Sequence, residues 1–405
     1  MNKCYQHLLA SFFLVTGALA APATASTPEL SDRTFRTVNK VQELIATERY
    51  GDAIAKLNGA LENTQSRKYD RAVLLQQMGF LYSLKDNYPK AAQYFAKALK
   101  LDALPVPVAQ QVRYSLAQLY LAEEKYKQSV VTMKQWFKIA KTTEEKPQAH
   151  AYITLASAYV QLGDYRNAIT PTKQAIAMTK KPSESWYLLL VASHYELKQY
   201  KSVAGVLKTL TTLYPQKKRY WMQLSGVYME LNQERNALAT LEAAYKMGLL
   251  DDEKEFLRLV NFQAYRGVPF RAATTLKKEM SNGNITADKK NYERLGSFWQ
   301  QAKELDDAIV AYRKAYDLSP SFKNQIMIAR LMIQAKQFKS ATQFAAKAAP
   351  GASADDRAEL AYLRGMAFFE LNQPSSALQA MQLAAKSNDM KAVATPWIAF
   401  LKEQG

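Results

Sequence analysis

A small residue returns along this chain every 33 to 39 residues, at Ala53, Ala91, Ser129, Ala168, Val203, Ala237, Ala273, Ala308, Ala341 and Ala377. An aromatic residue precedes most of these by three places, at Tyr50, Tyr88, Tyr126, Tyr165, Tyr200, Phe270 and Phe338, while Glu234, Leu305 and Pro374 depart from the pattern. A further large residue stands nine places before, at Tyr82, Tyr120, Tyr159, Tyr228, Trp299 and Phe368. A period of this length marks helical hairpins in tandem. One hairpin cannot bury both of its apolar faces, so each must stack on its neighbours.

The residue types follow from that packing. Small Gly79, Ala117, Ala156 and Gly296 let two helices approach, and a large side chain fills the space beside them. Breakers fall between units, at Pro105, Pro107, Pro147, Pro182, Pro215, Pro320 and Pro350. Pro89, Pro269 and Pro374 open a second helix, where a missing backbone donor costs little. Pro171 lies about six residues into its helix and predicts a local kink with one lost hydrogen bond.

This ruler resembles that of the tetratricopeptide repeat family, whose unit is a helix, a turn and an antiparallel helix. The resemblance covers residues 34–389 and implies an all-α, right-handed superhelical solenoid of about ten hairpins, read as one extended domain. Residues 390–405 read as a capping helix in which Trp397, Ile398 and Phe400 cover the end of the stack.

The first 25 residues stand apart. Lys3, an apolar run at 8–20 and the small-residue site Ala23-Thr24-Ala25 make a secretory signal peptide, followed by a flexible leader at 26–33. Cys4 precedes the apolar run, so lipid attachment is not expected, and its removal leaves a mature chain without cysteine. No later run approaches the length of a membrane span. These features predict a soluble, periplasmic protein.

Lys and Arg number 54 against 36 Asp and Glu, a formal net charge of +18. Such an excess keeps a long repeat protein soluble and attracts anionic partners. Nucleic acid is not expected, because no reading motif accompanies the charge. The reactive inventory is sparse: His150 and His194 are isolated, and no metal, thiol or phosphate-loop pattern exists. The pairs Glu123-Glu124, Glu144-Glu145, Asp251-Asp252 and Asp306-Asp307 fall in turns or at helix starts, where capping explains them. The chain is therefore expected to be no enzyme and to need no cofactor or metal.

Function falls to the groove lined by the first helix of each unit. The resemblance places groove-facing residues two and six places ahead of the leading aromatic position and a few residues after it. On this chain they are Gln76, Phe80, Tyr114, Gln118, Ser157, Met222, Arg258, Phe262, Tyr265, Arg294, Arg330, Tyr362 and Met366. Arg258, Arg294 and Arg330, from successive first helices, are expected to converge. The Lys/Asn clamp with which family members grip a free C-terminus is absent, since its places hold Gln76, Phe80, Gln118 and Ser157. An internal segment or a folded partner fits better. Signal peptide and repeats together resemble exported proteins that accompany TonB-type energy transduction, which implies an envelope partner and a scaffold role in uptake. Two other readings stay open: a scaffold for outer-membrane or cell-wall assembly, and a basic module binding glycan or lipopolysaccharide.

Overall fold

The structure, a computed structural model, describes residues 29–143 and 146–403. The signal peptide, the start of the leader, the Glu144-Glu145 pair and the end of the 390–405 segment lie outside the described residues. The chain divides into two compact units, which are taken separately. The first carries α1 (Asp32–Ala46), α2 (Tyr50–Glu62), α3 (Lys68–Leu84), α4 (Tyr88–Lys100), α5 (Val106–Ala122), α6 (Tyr126–Ala140), α7 (Ala149–Gln161), α8 (Tyr165–Ala177) and α9 (Glu184–Glu196). The second carries α10 (Tyr200–Leu213), α11 (Lys218–Glu230), α12 (Glu234–Lys246), α13 (Glu253–Tyr265), α14 (Pro269–Ser281), α15 (Lys289–Gln301), α16 (Leu305–Leu318), α17 (Phe322–Gln334), α18 (Phe338–Phe344), α19 (Ala354–Glu370), α20 (Pro374–Ala384) and α21 (Asn388–Glu403). Every regular element among the described residues is helical, and the fold is an all-α solenoid of hairpins.

One turn geometry joins the two helices of a hairpin. At Asp86 the backbone is left-handed (φ 54°), and the Asn87 N–H donates back to the Tyr82 carbonyl at 2.9 Å. The same closure joins Gln233 to Tyr228 (2.8 Å), Glu304 to Trp299 (2.9 Å) and Gln373 to Phe368 (3.0 Å). This bond reaches the last free carbonyls of the first helix, and it requires one residue at positive φ. Glu48, Glu124, Asn232, Lys303, Lys336 and Asn372 occupy that place as Asp86 does; Gly163 and Gly267 are the glycines there.

The seventh turn corrects the ruler by one residue. Gly267 takes the left-handed place, the Val268 N–H reaches the Gln263 carbonyl at 3.0 Å, and α14 opens at Pro269. The small residue of this unit is therefore Ala272, whose N–H donates to the Val268 carbonyl as Ala91 does to Asn87. Ala272 and Ala273 are both fully buried, so either fits the sequence pattern; the turn glycine, free of a Cβ, selects the register. Phe270 thus leaves the row of packing aromatics. It is 56% exposed and meets Trp299 edge-on at 5.4 Å.

The core runs between the helices. A Cβ on Gly79 would stand 2.3 Å from Phe95 Cδ1, and one on Gly296 would stand 2.7 Å from Tyr312 Cδ2. In both hairpins a ring on the second helix lies against the bare backbone of the first. The helix α8 runs unbroken past Pro171, and Thr172 Oγ1 donates to the Ala168 carbonyl at 2.7 Å one residue along.

Two polar devices close off elements where the apolar ruler stops. Buried Asp70 on α3 accepts from the Ser31 N–H, the Ser31 hydroxyl and the Thr34 hydroxyl, and so pins the start of α1. Buried Gln325 on α17 accepts from the Ala349 N–H at 2.7 Å and donates to the Lys347 carbonyl at 2.7 Å. This amide satisfies backbone groups of the segment after α18, which stops at Phe344, well before Pro350. At the far end α21 lays Trp397 against Phe369 at 5.1 Å, with Leu401 buried and Phe400 41% exposed.

Candidate functional site

Consecutive first helices touch: α5 with α7 and α7 with α9 in the first unit, α17 with α19 in the second. No pair of consecutive second helices is in comparable contact among the described residues. In the first unit α5, α7 and α9 therefore share an inner surface while α6 and α8 splay outward, and in the second α17 and α19 share one; the first-helix surface of each unit is the candidate site.

Two rows run along it. Six places before the leading position stand Tyr114, Ile153 and Leu188 in the first unit, and Met222 and Leu257 in the second, all partly buried. Two places before it stand Gln118, Ser157 and Ala192, then Gly226 and Asn261. A half-exposed apolar ridge thus borders a strip of small and polar residues. Such a strip admits a backbone or short side chain, and the ridge supplies apolar area to cover. Ile153, Leu188, Ala192, Gly226, Leu257 and Asn261 were missing from the sequence expectation. The ruler itself reaches Ile153 and Leu188, whereas Leu257 and Asn261 emerge only from the corrected seventh turn.

The expected residues divide by what they touch. Phe80 packs edge-on against Phe95 at 5.1 Å, and Gln76 is buried, so both belong to packing. Tyr114 stacks obliquely on Trp136 at 5.9 Å, and its hydroxyl lies 3.2 Å from Thr154 Oγ1, tying α5 to α7. Burial pushes its phenol above the ordinary value, with the Thr154 contact opposing. Tyr362 and Met366 pack towards α20 and α21. Phe262 is partly buried and Tyr265 is 71% exposed, their rings 6.4 Å apart, with the Tyr265 hydroxyl donating to Glu234.

The three arginines do not form one row. In the corrected register Arg258 and Arg294 hold equivalent places on α13 and α15, and Arg330 stands three residues later on α17. Arg294 donates to Asn291, and Arg330 pairs with Glu359 on α19. Arg258 is exposed and makes no hydrogen bond or ion pair among the described residues.

The second unit adds a buried acid. Glu279 on α14 accepts from the Tyr245 hydroxyl at 2.6 Å and from Asn284 Nδ2 at 2.7 Å, and Lys278 lies 3.8 Å away. Burial raises its carboxyl, but the donors and Lys278 outweigh this and hold it below the ordinary value. Burial together with the Glu279 contact pushes the Tyr245 phenol well above 10.0. Every group is satisfied locally, so this is a hinge-pin between repeats. Nearby, a cleft of about 160 Å³ opens among Met280, Tyr292, Leu295, Trp299 and Val310. Its rim cations lie over rings, Lys314 over Tyr292 at 5.4 Å and Lys277 over Trp299 at 5.9 Å.

Acidic pairs and histidines carry structure. Asp252 caps α13 through the Lys254 N–H, Asp251 pairs with Lys218, Asp307 with Lys277, and Asp306 accepts from Gln337. His150 stands edge-on to Trp186 at 5.5 Å, and His194 is buried. No cluster of three potential metal ligands occurs among the described residues, and none of their helices is long and apolar enough to cross a membrane.

The class defined by this geometry is a helical-hairpin repeat array. Tetratricopeptide repeat models match residues 85–130 and 149–181, the latter coinciding with the α7–α8 hairpin. No curated protein matches the chain. Among solved structures, it is similar to a tetratricopeptide repeat protein from Parabacteroides merdae, at 12% identity over 75% of this chain and 98% of that one, with a TM-score of 0.38. It is also similar to YrrB, described as a TPR protein with an unusual peptide-binding site, at 16% identity over 49% of this chain and 95% of that one, with a TM-score of 0.38.

Proposed function

We propose that this chain is a non-enzymatic scaffold that binds a protein segment along its first helices. The observation that carries this reading is the partly exposed apolar row of Tyr114, Ile153 and Leu188 beside the small strip of Gln118, Ser157 and Ala192. Tetratricopeptide repeat proteins generally mediate protein–protein interaction, and a preformed surface binds without first having to order itself. In the second unit, exposed Arg258 and Tyr265 lie on the same first helix as Leu257 and add a cation and an aromatic anchor.

The leader sequence supports a periplasmic setting, and the resemblance to exported repeat proteins supports a role beside a TonB-type uptake complex. The test is crosslinking in intact envelopes with the protein and with a Ser157→Arg/Ala192→Arg variant, which fills the small strip at positions that are not buried. Recovery of inner-membrane energy-transduction proteins, lost in the variant, supports both surface and partner. Recovery of outer-membrane or cell-wall assembly proteins instead retains the scaffold and replaces the partner. A protein set unchanged by the variant sinks the groove.

A further inference from the structure

The splayed second helices of the first unit present a second surface. On α6, Lys127 and Lys134 stand seven residues apart, and Arg166 and Lys173 hold the equivalent places on α8. Seven residues make nearly two turns, so each pair shares one helix face at a spacing of about 10 Å. Lys141, the C-cap residue, continues the α6 row. All five are exposed and none is in an ion pair among the described residues, while Lys134 Nζ lies over the Tyr159 ring of α7 at 5.7 Å. Neither α6 nor α8 contains a single Asp or Glu. The nearest described acids lie in turns: Glu123 is taken by Lys125 and Asp164 by Asn167, and Glu124 is exposed, while Glu144 and Glu145 lie outside the described residues. Cations elsewhere behave differently: in the second unit Lys218, Arg266, Arg271 and Lys277 pair with carboxylates one repeat away.

A row of exposed cations can serve solubility alone, but here carboxylates that would neutralise it are missing from two successive second helices. We propose that the outer faces of α6 and α8 adsorb to anionic phospholipid bilayers through their headgroup phosphates. A folded acidic partner would need an anchor to grip, and this face has none. Trp136 and Phe137 of α6 turn inward, Trp136 against Phe137 at 5.0 Å and Phe137 against Tyr152 at 4.8 Å. Its apolar feature is Val131, 55% exposed between Lys127 and Lys134. A broad cationic face with one short apolar side chain matches a surface of distributed negative charge, the condition under which basic clusters hold to a leaflet. Adsorption by the outer face leaves the inner rows free for a protein segment.

The experiment is co-sedimentation of the purified protein with phosphatidylcholine vesicles, with and without phosphatidylglycerol. The expected result is binding to the anionic vesicles alone and release as salt is raised. Lys127→Glu/Lys134→Glu/Arg166→Glu/Lys173→Glu should weaken it by at least about tenfold, since each reversal removes an attraction and adds a repulsion. A control of equal charge, Lys254→Glu/Lys290→Glu/Lys323→Glu/Lys391→Glu, lies in the second unit and should bind nearly as the parent does. Circular dichroism confirms that both variants remain helical. Equal loss in the two variants would show an effect of net charge without this surface, and overturns the proposal. So does equal binding to neutral and anionic vesicles, or binding to neither.

Discussion

The two units join successive repeats by different means. In the second, charge crosses from one repeat to the next: Lys218 meets Asp251 and Glu255, Arg271 meets Glu242, and Arg330 meets Glu359. In the first, the crossing contacts are hydrogen bonds, as between Tyr114 and Thr154 and from the Ser31 and Thr34 hydroxyls to the Asp70 carboxylate, while ion pairs such as Lys40–Glu43 and Arg49–Asp52 stay within three residues. Where carboxylates reach the neighbouring repeat, the cations are occupied by the fold. Where they are missing, the cations are left for solvent or a partner.

The largest effect that sharpens this contrast lies in the ring-on-glycine packing. Gly79→Ala in the first unit places a Cβ 2.3 Å from the Phe95 ring and should lose about 2–3 kcal/mol. Gly365→Ala in the second meets the flexible end of Met381 at 3.0 Å and should lose less than about 1 kcal/mol. Urea midpoints measure both, and equal losses would mean that the rigid ring is not what sets the tolerance.

Glu279 provides the next. Glu279→Ala strands the Tyr245 hydroxyl and Asn284 and should lose about 1–3 kcal/mol. The folded carboxyl titrates below its unfolded value, so its contribution is complete above the unfolded value and fades as pH falls towards the folded one. Tyr245 titrates above 10.0 when folded, so its contribution is complete below that pH and is lost as pH rises beyond it. Thermal unfolding across acid pH should be flatter for Glu279→Gln than for the parent.

Smaller again are the turns. Gly163→Ala and Gly267→Ala put a Cβ at positive φ and should each lose about 1 kcal/mol, while Lys303→Gly should gain a similar amount, read as a shift in melting temperature. The smallest test addresses the contrast itself. Arg271→Ala should lose about 0–1 kcal/mol at low salt and nothing at high salt, and Lys127→Ala should change little at either. A salt-sensitive loss at Lys127 would break the comparison.

Much of this was legible beforehand, for a local reason. The turn bond from Asn87 to Tyr82 and the seat of Phe95 on Gly79 span only a few residues or one hairpin, so the ruler reports them directly. At the seventh turn the ruler could not choose, because Ala272 and Ala273 are equally small, and the slip moved the expected groove place from Leu257 to Arg258. Convergence of the three arginines failed for a different reason: Arg330 stands three residues later on its helix than Arg258 and Arg294 do, and it is taken by Glu359, whose approach depends on how α19 stacks on α17.

By itself the sequence determined the hairpin, its period and the number of its copies, because helix periodicity and small-against-large packing act over short separations. The tertiary structure alone decided where α18 stops, through a glutamine on the preceding helix, and which cations are spent on neighbouring repeats. Those outcomes rest on side chains about 20 to 37 residues apart, which meet only after the stack has formed.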